Sequence, residues 1–212
     1  MIKRIGTILT IFSVFLIAIS KANGYKHSVT SNNDISRVNQ YEPLEVKTYL
    51  IRQFIPFINT WSGGHKEKPK NEPYRIVVLG DKGSTNVQKT VEYLENEFEV
   101  GGRKILDRRI DIRHYDSLEE YLKSSWKADI FYLQEIRRSN ELAPIFAYTT
   151  KHNIFLLSDG KDLCIKGAHV GFYISGGRVT FAVNRCAVEQ AGIKFNYQVY
   201  EQANRIINNC NE

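Results

Sequence analysis

Cysteine is scarce: three in 212 residues, Cys164, Cys186 and Cys210, with no two close together. The five histidines are scattered at positions 27, 65, 114, 152 and 169, so the spacing of a zinc ligand set is missing. Also missing are the G-x-S-x-G turn that exposes a nucleophilic serine, the H-E-x-x-H helix of zinc proteases, and the G-x-x-x-x-G-K-[ST] and G-x-G-x-x-G loops that hold nucleotide phosphates. After Ser20 no apolar run reaches the roughly 20 residues a helix needs to cross the hydrocarbon core. No internal repeat and no low-complexity tract is present. These absences leave catalysis, metal binding and a cofactor with little support.

What is present is the composition of an ordinary globular domain: 42% hydrophobic, 25% charged and 12% aromatic. That is enough apolar material for one buried core and excludes a disordered or fibrous chain. The formal net charge is +6, but Lys3, Arg4 and Lys21 fall in the first 24 residues, which hold no Asp or Glu. The +3 left for residues 25–212 is too weak for a surface dedicated to nucleic acid. Lys3 and Arg4 precede an uncharged, mostly apolar run over 5–20, followed by small residues, the pattern of an export signal cleaved after Ala22 or Gly24. The chain is therefore expected in the periplasm, with no membrane span after cleavage. An uncleaved anchor is the alternative.

Residues 25–40 are polar and patternless, a flexible leader, and the domain is expected over 41–212. From Pro43, the residues Val46, Tyr49, Leu50, Phe54, Phe57, Ile58 and Trp61 recur at steps of three and four, which predicts an amphipathic helix ended or kinked by Pro56. Next come a strand over 75–79, a turn over 80–84, a helix over 85–98, an extended stretch over 104–114 and a short helix opened by a Ser117/Glu120 capping box. A strand over 128–133, a helix over 140–151 and a strand over 153–157 follow. This alternation predicts an α/β fold, a single domain with a mixed β-sheet and helices packed on it. Segments 170–174 and 178–183, joined through Gly176 and Gly177, form a C-terminal β-hairpin. Two helices are expected after it, one capped by Asn184 and stopped by Gly192, the other over 197–207.

Few groups could carry chemistry. The loop over 80–85, with Gly80, Asp81 and Thr85, lies between a buried strand and a helix start, where backbone amides can hold an anion. A plain turn is the favoured reading, because Asp81 would repel an anion and Gly-rich turns are the default way to leave a strand. The carboxylates Asp107, Asp111, Asp116, Glu119 and Glu120 are interspersed with Arg108, Arg109, Arg113 and Lys123, which reads as a solvated, neutralised face rather than a glycosidase pair. Phe54, Phe57 and Trp61 are either core or a protein interface.

The elements in this order resemble the YfiR-like family of bacterial periplasmic proteins. The similarity runs from about Glu45 to Ala203. It includes a first helix ending in Trp61, the strand and turn YRIVVLGD with Gly80 and Asp81, and a tail in which Gly176, Gly177, Phe181, Asn184, Ala187, Ala191, Gly192 and Ile193 fall in the family's order. None of these positions is catalytic. The resemblance implies a homodimeric, non-enzymatic periplasmic regulator, a sensor or inhibitor subunit. Its partner would be a membrane-bound signalling protein, either a diguanylate cyclase that controls cyclic di-GMP or a histidine kinase. A small-ligand binding protein using the strand-end loops near Gly80 to Thr85 is the alternative.

Cysteine pairing follows from the hairpin. With its turn at Gly176 and Gly177, Cys186 falls opposite Gly167, three residues from Cys164, so an irregular loop there would allow a Cys164–Cys186 disulfide. Cys186 with Cys210 is the competing pair.

Overall fold

Val46, Leu50, Ile51 and Phe54 form the buried side of α1 (Pro43–Phe54). Pro56 acts as its position predicts, because without an N–H it fits the first turn of a 3-10 segment, Ile55–Phe57, and the chain leaves as β1 (Ile58–Thr60). The computed structural model describes residues 43–60, 69, 71–100, 104–105, 108–134 and 139–208. The expected export signal and leader, Trp61, Asp107 and Cys210 lie outside them. No helix of the described residues is long and apolar enough to cross a membrane.

The alternation then unfolds as β2 (Tyr74–Leu79), α2 (Thr85–Val100), β3 (Lys104–Ile105), β4 (Arg108–Tyr115), α3 (Leu118–Leu122), β5 (Ile130–Leu133), α4 (Ser139–Lys151), β6 (Phe155–Asp159), α5 (Lys161–Lys166), β7 (Val170–Ser175), β8 (Arg178–Asn184), α6 (Arg185–Gln190), β9 (Lys194–Phe195), α7 (Tyr197–Gln202) and β10 (Arg205–Ile207). Among the described residues eight strands make one sheet in the order β10-β8-β7-β6-β5-β2-β4-β3. Neighbours from β4 through β2, β5 and β6 to β7 are parallel, as strands joined by helical crossovers must be. The expected hairpin, β7 with β8, is antiparallel. The α/β fold with a mixed sheet is thus the observed one.

Strand alternation sorts the core into two layers. Ile76, Val78, Ile130, Tyr132, Phe155, Leu157, Phe172 and Phe181 face α1 and α2, together with Val188 of α6 and Val199 of α7. Val77, Leu79, Phe131, Leu133 and Leu156 face the opposite way, toward Ile145 of α4 and Tyr121 of α3.

The C-terminal end departs from expectation. The helix foreseen over 197–207 stops at Gln202, and residues 205–207 instead extend as β10, parallel to β8 with Ile206 beside Val183. Backbone groups on the outer edge of β8 require partners, and Asn204 N–H donates to Phe181 O (3.0 Å) as the chain turns into that edge. Ile207 is buried on Ala182 and Cys164. The first helix, expected to run to Trp61, is corrected too: it ends at Phe54 and residues 58–60 are β1, paired antiparallel with β9; α5 and β9 had no expectation attached.

Candidate functional site

The C-terminal rim of the parallel strands is where open α/β sheets bind ligands, at the point where strand order reverses. That point is β2, flanked by β4 on one side and β5 on the other. The loop after β2 is closed by the chain's own side chains. Lys82 N–H donates to Asp116 Oδ1 (2.6 Å) and Gly83 N–H to Asp81 Oδ1 (2.8 Å). Ser84 N–H donates to Asp81 O (2.9 Å). The Lys82 ammonium reaches Glu120 (2.6 Å), and this bond holds the Glu120 carboxyl below its usual range. Glu120 in turn accepts from Asp116 N–H (2.7 Å). Two of the loop's amides, those of Lys82 and Gly83, are therefore taken by the carboxylates of Asp116 and Asp81, and that of Ser84 by the Asp81 carbonyl. Gly80 is needed here for space: a Cβ on it would stand 2.3 Å from Gln134 O.

The capping box holds in half. Ser117 Oγ accepts from Glu120 N–H (3.2 Å), but the Glu120 side chain serves Asp116 and Lys82 instead of returning to Ser117. Glu119 pairs with Lys123 (2.7 Å) with both side chains largely exposed. Of the expected neutralisation only this pair is seen among the described residues of the segment; Asp116 and Glu120 take Lys82 of the β2 loop rather than Arg109 or Arg113, and such exposed pairs add little stability.

Beneath the rim, on the α1 side, sequence reasoning missed a polar group of residues. Gln134 is fully buried with neither carboxamide atom hydrogen-bonded, and the Tyr132 hydroxyl is buried without a partner. Burial drives the Tyr132 pKa well above its ordinary value. Asp159, the last residue of β6 and one beyond Ser158, which pairs with Leu133, is ion-paired to Lys47 of α1 (2.5 Å). The only sequence signal was polar residues at the ends of apolar strands. Among the described residues no group of three His, Cys, Asp or Glu could hold a metal ion.

Two of the three aromatic candidates, Phe54 and Phe57, lie in the core, and Trp61 is outside the described residues. Phe54 and Phe57 are 1% and 8% exposed, so the interface considered for them is corrected to core. On β7 of the hairpin, Phe172 points inward, while Tyr173 is half-buried and its hydroxyl accepts from Asn204 Nδ2 (2.7 Å).

The Cys164–Cys186 pairing is also corrected. The hairpin register is the expected one, with Val170 opposite Val183, but the segment before it is helix α5 and not an irregular loop. That helix turns Cys164 onto Ala182 and Ile207, on the α4 side of the sheet, whereas α6, which carries Cys186, packs Val188 on the other side. Cys164 is a free, buried thiol, 3.5 Å from Ala182 O. Cys186 is disulfide-bonded, with its sulfur 3.1 Å from Asn208 O. Burial pushes the Cys164 thiol up to about 12, which suppresses thiolate at neutral pH by roughly a thousandfold relative to its ordinary value. Alkylation of the unreduced chain should accordingly spare Cys164 while folded and label it once urea is added; rapid labelling of the native protein would refute the buried site.

The tail positions have structural duties. Gly176 and Gly177 take φ of 58° and 74° in the hairpin turn, and Gly192 takes 64° where α6 ends. Asn184 Oδ1 accepts from Ala187 N–H (3.0 Å) at the start of α6, and its Nδ2 donates to Cys164 O (2.8 Å). Phe181 and Ala191 are both buried in the layer under α1.

This arrangement coincides with a sequence-family match over residues 44–204, described as YfiR/HmsC-like. The chain belongs to that family. YfiR/HmsC-like proteins are periplasmic regulators, and the match spans every element from α1 to α7. No curated protein is significantly similar in sequence. Among solved structures, the chain is similar to a conserved domain protein from Vibrio cholerae O1 biovar eltor (TM-score 0.56, 13% identity, 77% of this chain and 60% of that one). It is also similar to an ABC domain in complex with L-Trp from Streptococcus pneumoniae (TM-score 0.55, 12% identity, 78% of this chain and 60% of that one). The YfiR/HmsC-like chain spans three fifths of either structure, and at these identities the likeness concerns the fold alone.

Proposed function

We propose that this YfiR/HmsC-like chain is an exported, homodimeric regulator that binds the periplasmic part of a membrane signalling enzyme, a diguanylate cyclase or a histidine kinase, and holds it inactive without chemistry of its own. Family membership over 44–204 is the observation that carries this reading. The rim geometry supports it over the small-ligand alternative, because two amides of the loop after β2, those of Lys82 and Gly83, are already taken by Asp116 and Asp81. The sequence adds the export signal, with cleavage after Ala22 or Gly24 placing the domain next to such a partner. Deleting the gene should raise cyclic di-GMP or the kinase's phosphorylated output, and restoring the gene should lower it. If neither output moves in the deletion strain, the proposal fails. Sedimentation of the purified mature chain should give twice its mass, and a monomer at micromolar concentration would remove the dimer.

A further inference from the structure

We propose that the open lower face of β2 and β4 docks an acidic segment of the partner protein through three arginines; this rests on reading the chain as a regulator that binds another protein. Alternation puts Arg75 of β2 and Arg109, Asp111 and Arg113 of β4 on the side of the sheet that carries Val77, Leu79 and Tyr115. Helices α3 and α4 cover the upper part of that side. Below them Arg109, Asp111 and Arg113 are exposed and Arg75 is half-buried. The register sets Arg75 beside Asp111 and Val77 beside Arg113. The Arg113 guanidinium lies over the Trp126 ring at 4.9 Å, and exposed Lys127 follows.

Charge distribution singles this patch out. Lys47, Lys82, Lys123 and Arg185 are each paired to a carboxylate. Among the described residues Arg75, Arg109, Arg113 and Lys127 make no ion pair; Lys151, Lys161, Lys166, Arg178, Lys194 and Arg205 make none either, and what distinguishes the first four is that two adjacent strands and the turn into β5 gather them on one face. With Asp111, and with Asp129, whose carboxylate accepts the Arg75 N–H (2.8 Å), the patch carries a net charge of +2. Unpaired cations gathered on one exposed surface call for an acidic partner.

The residue types point to protein carboxylates rather than to lipid. Three of the four cations are arginines, whose planar fork matches a carboxylate with two hydrogen bonds, and all three stand on strands that fix their spacing. Stacking on Trp126 restrains Arg113 before binding, so less side-chain freedom is lost when a partner docks. Asp111 in the middle opposes a sheet of lipid phosphates, while a mixed protein surface can answer it with a cation. Arg and Trp are also the types that dominate protein interfaces.

The test is the double variant R109E/R113E, with R109Q/R113Q as a milder companion should charge reversal disturb folding. Both sites are exposed, so the melting temperature should stay at the wild-type value. Repression of the cyclase or kinase output should weaken by roughly tenfold or more in the reversed variant and by less in the neutral one. Selection for restored repression should yield Asp or Glu to Lys changes in the exported segment of one membrane protein. Normal repression by R109E/R113E, or a saturating selection without such changes, overturns the inference while the proposed function stands. Should gene deletion itself change neither output, a photoreactive residue at position 111 decides the docking face alone. An adduct lost in R113E, with none formed from position 92 on α2, supports it, and an adduct indifferent to R113E refutes it. Sedimentation with phosphatidylglycerol vesicles, abolished by R109E/R113E and absent with phosphatidylcholine, would assign the patch to lipid and also overturn it.

Discussion

Phe54→Ala is expected to lower stability by about 3–5 kcal/mol, the range for deleting a fully buried aromatic ring. The ring is the meeting point of four others. It lies edge-on to Phe181 at 5.3 Å, to Phe195 at 5.4 Å and to Phe172 at 6.2 Å, and it is stacked on Phe155 at 6.2 Å. Those partners come from β6, β7, β8 and β9, so one side chain ties α1 to the middle strands, to the hairpin and to the small β1–β9 ladder. Edge-to-face pairs add about 0.5–1.5 kcal/mol each beyond their area. No neighbour can collapse into the space without leaving another of these contacts. At about 2–4 °C per kcal/mol for a domain of this size, the melting temperature should fall by on the order of 10 °C. Thermal denaturation and sedimentation of the same variant decide between core and interface. An unchanged melting temperature with a changed oligomeric state would return Phe54 to the surface role.

The contrast with the C-terminal end shows what the sequence could express and what it could not. The hairpin was legible to the residue, because two adjacent glycines with positive φ leave a single register for the alternating residues on either side. Asn184 was legible as a cap because its side chain bonds to an amide three residues ahead. Both are local. In the tail, Tyr200, Ala203, Ile206 and Ile207 satisfy a helical stripe equally well, and the decision for β10 came from the outer edge of β8, which needs hydrogen-bond partners. The β1–β9 pair is similarly tertiary: Ile58 stands against Phe195, 137 positions later. Helix α5 escaped notice because six residues are too few to show a period. At the rim, a Gly-rich turn after a strand looks the same whether its amides await an anion or are filled. What fills them, Asp116, comes from 34 residues further on. The arginine face had the same concealment, since Arg75 and Arg113 become neighbours only through the β2–β4 register.

Acid should destabilise the fold through His169 by an amount unusual for a single residue. The ring is buried and stacked on Phe155 at 5.6 Å. Its Nδ1 accepts the Leu156 N–H (3.0 Å), while its own backbone N–H donates to Leu156 O (3.0 Å), so it bolts the start of β7 to β6. An acceptor at Nδ1 requires the neutral ring with its proton on Nε2. A proton at Nδ1 would set two donors face to face in a buried site. Burial accordingly depresses the His169 pKa from 6.5 to about 3. The folded state resists a proton that the unfolded chain takes up near pH 6.5. The stability is therefore whole above that pH and falls by about 1.4 kcal/mol per pH unit below it, down to the folded-state pKa. Between pH 6.5 and pH 4 the loss from this one ring comes to about 3 kcal/mol, and by pH 3 to about 4. Carboxylates contribute their own acid dependence, so the measurement is a difference. His169→Asn offers its Oδ1 to the Leu156 N–H and cannot titrate; it should be less stable at pH 7 for want of the stacked ring, yet flatter in urea midpoint from pH 6.5 to 4. Parallel profiles for the two proteins would show that His169 is charged in the folded state or exchanges with solvent, and would remove the bolt between β6 and β7 as the source of acid sensitivity.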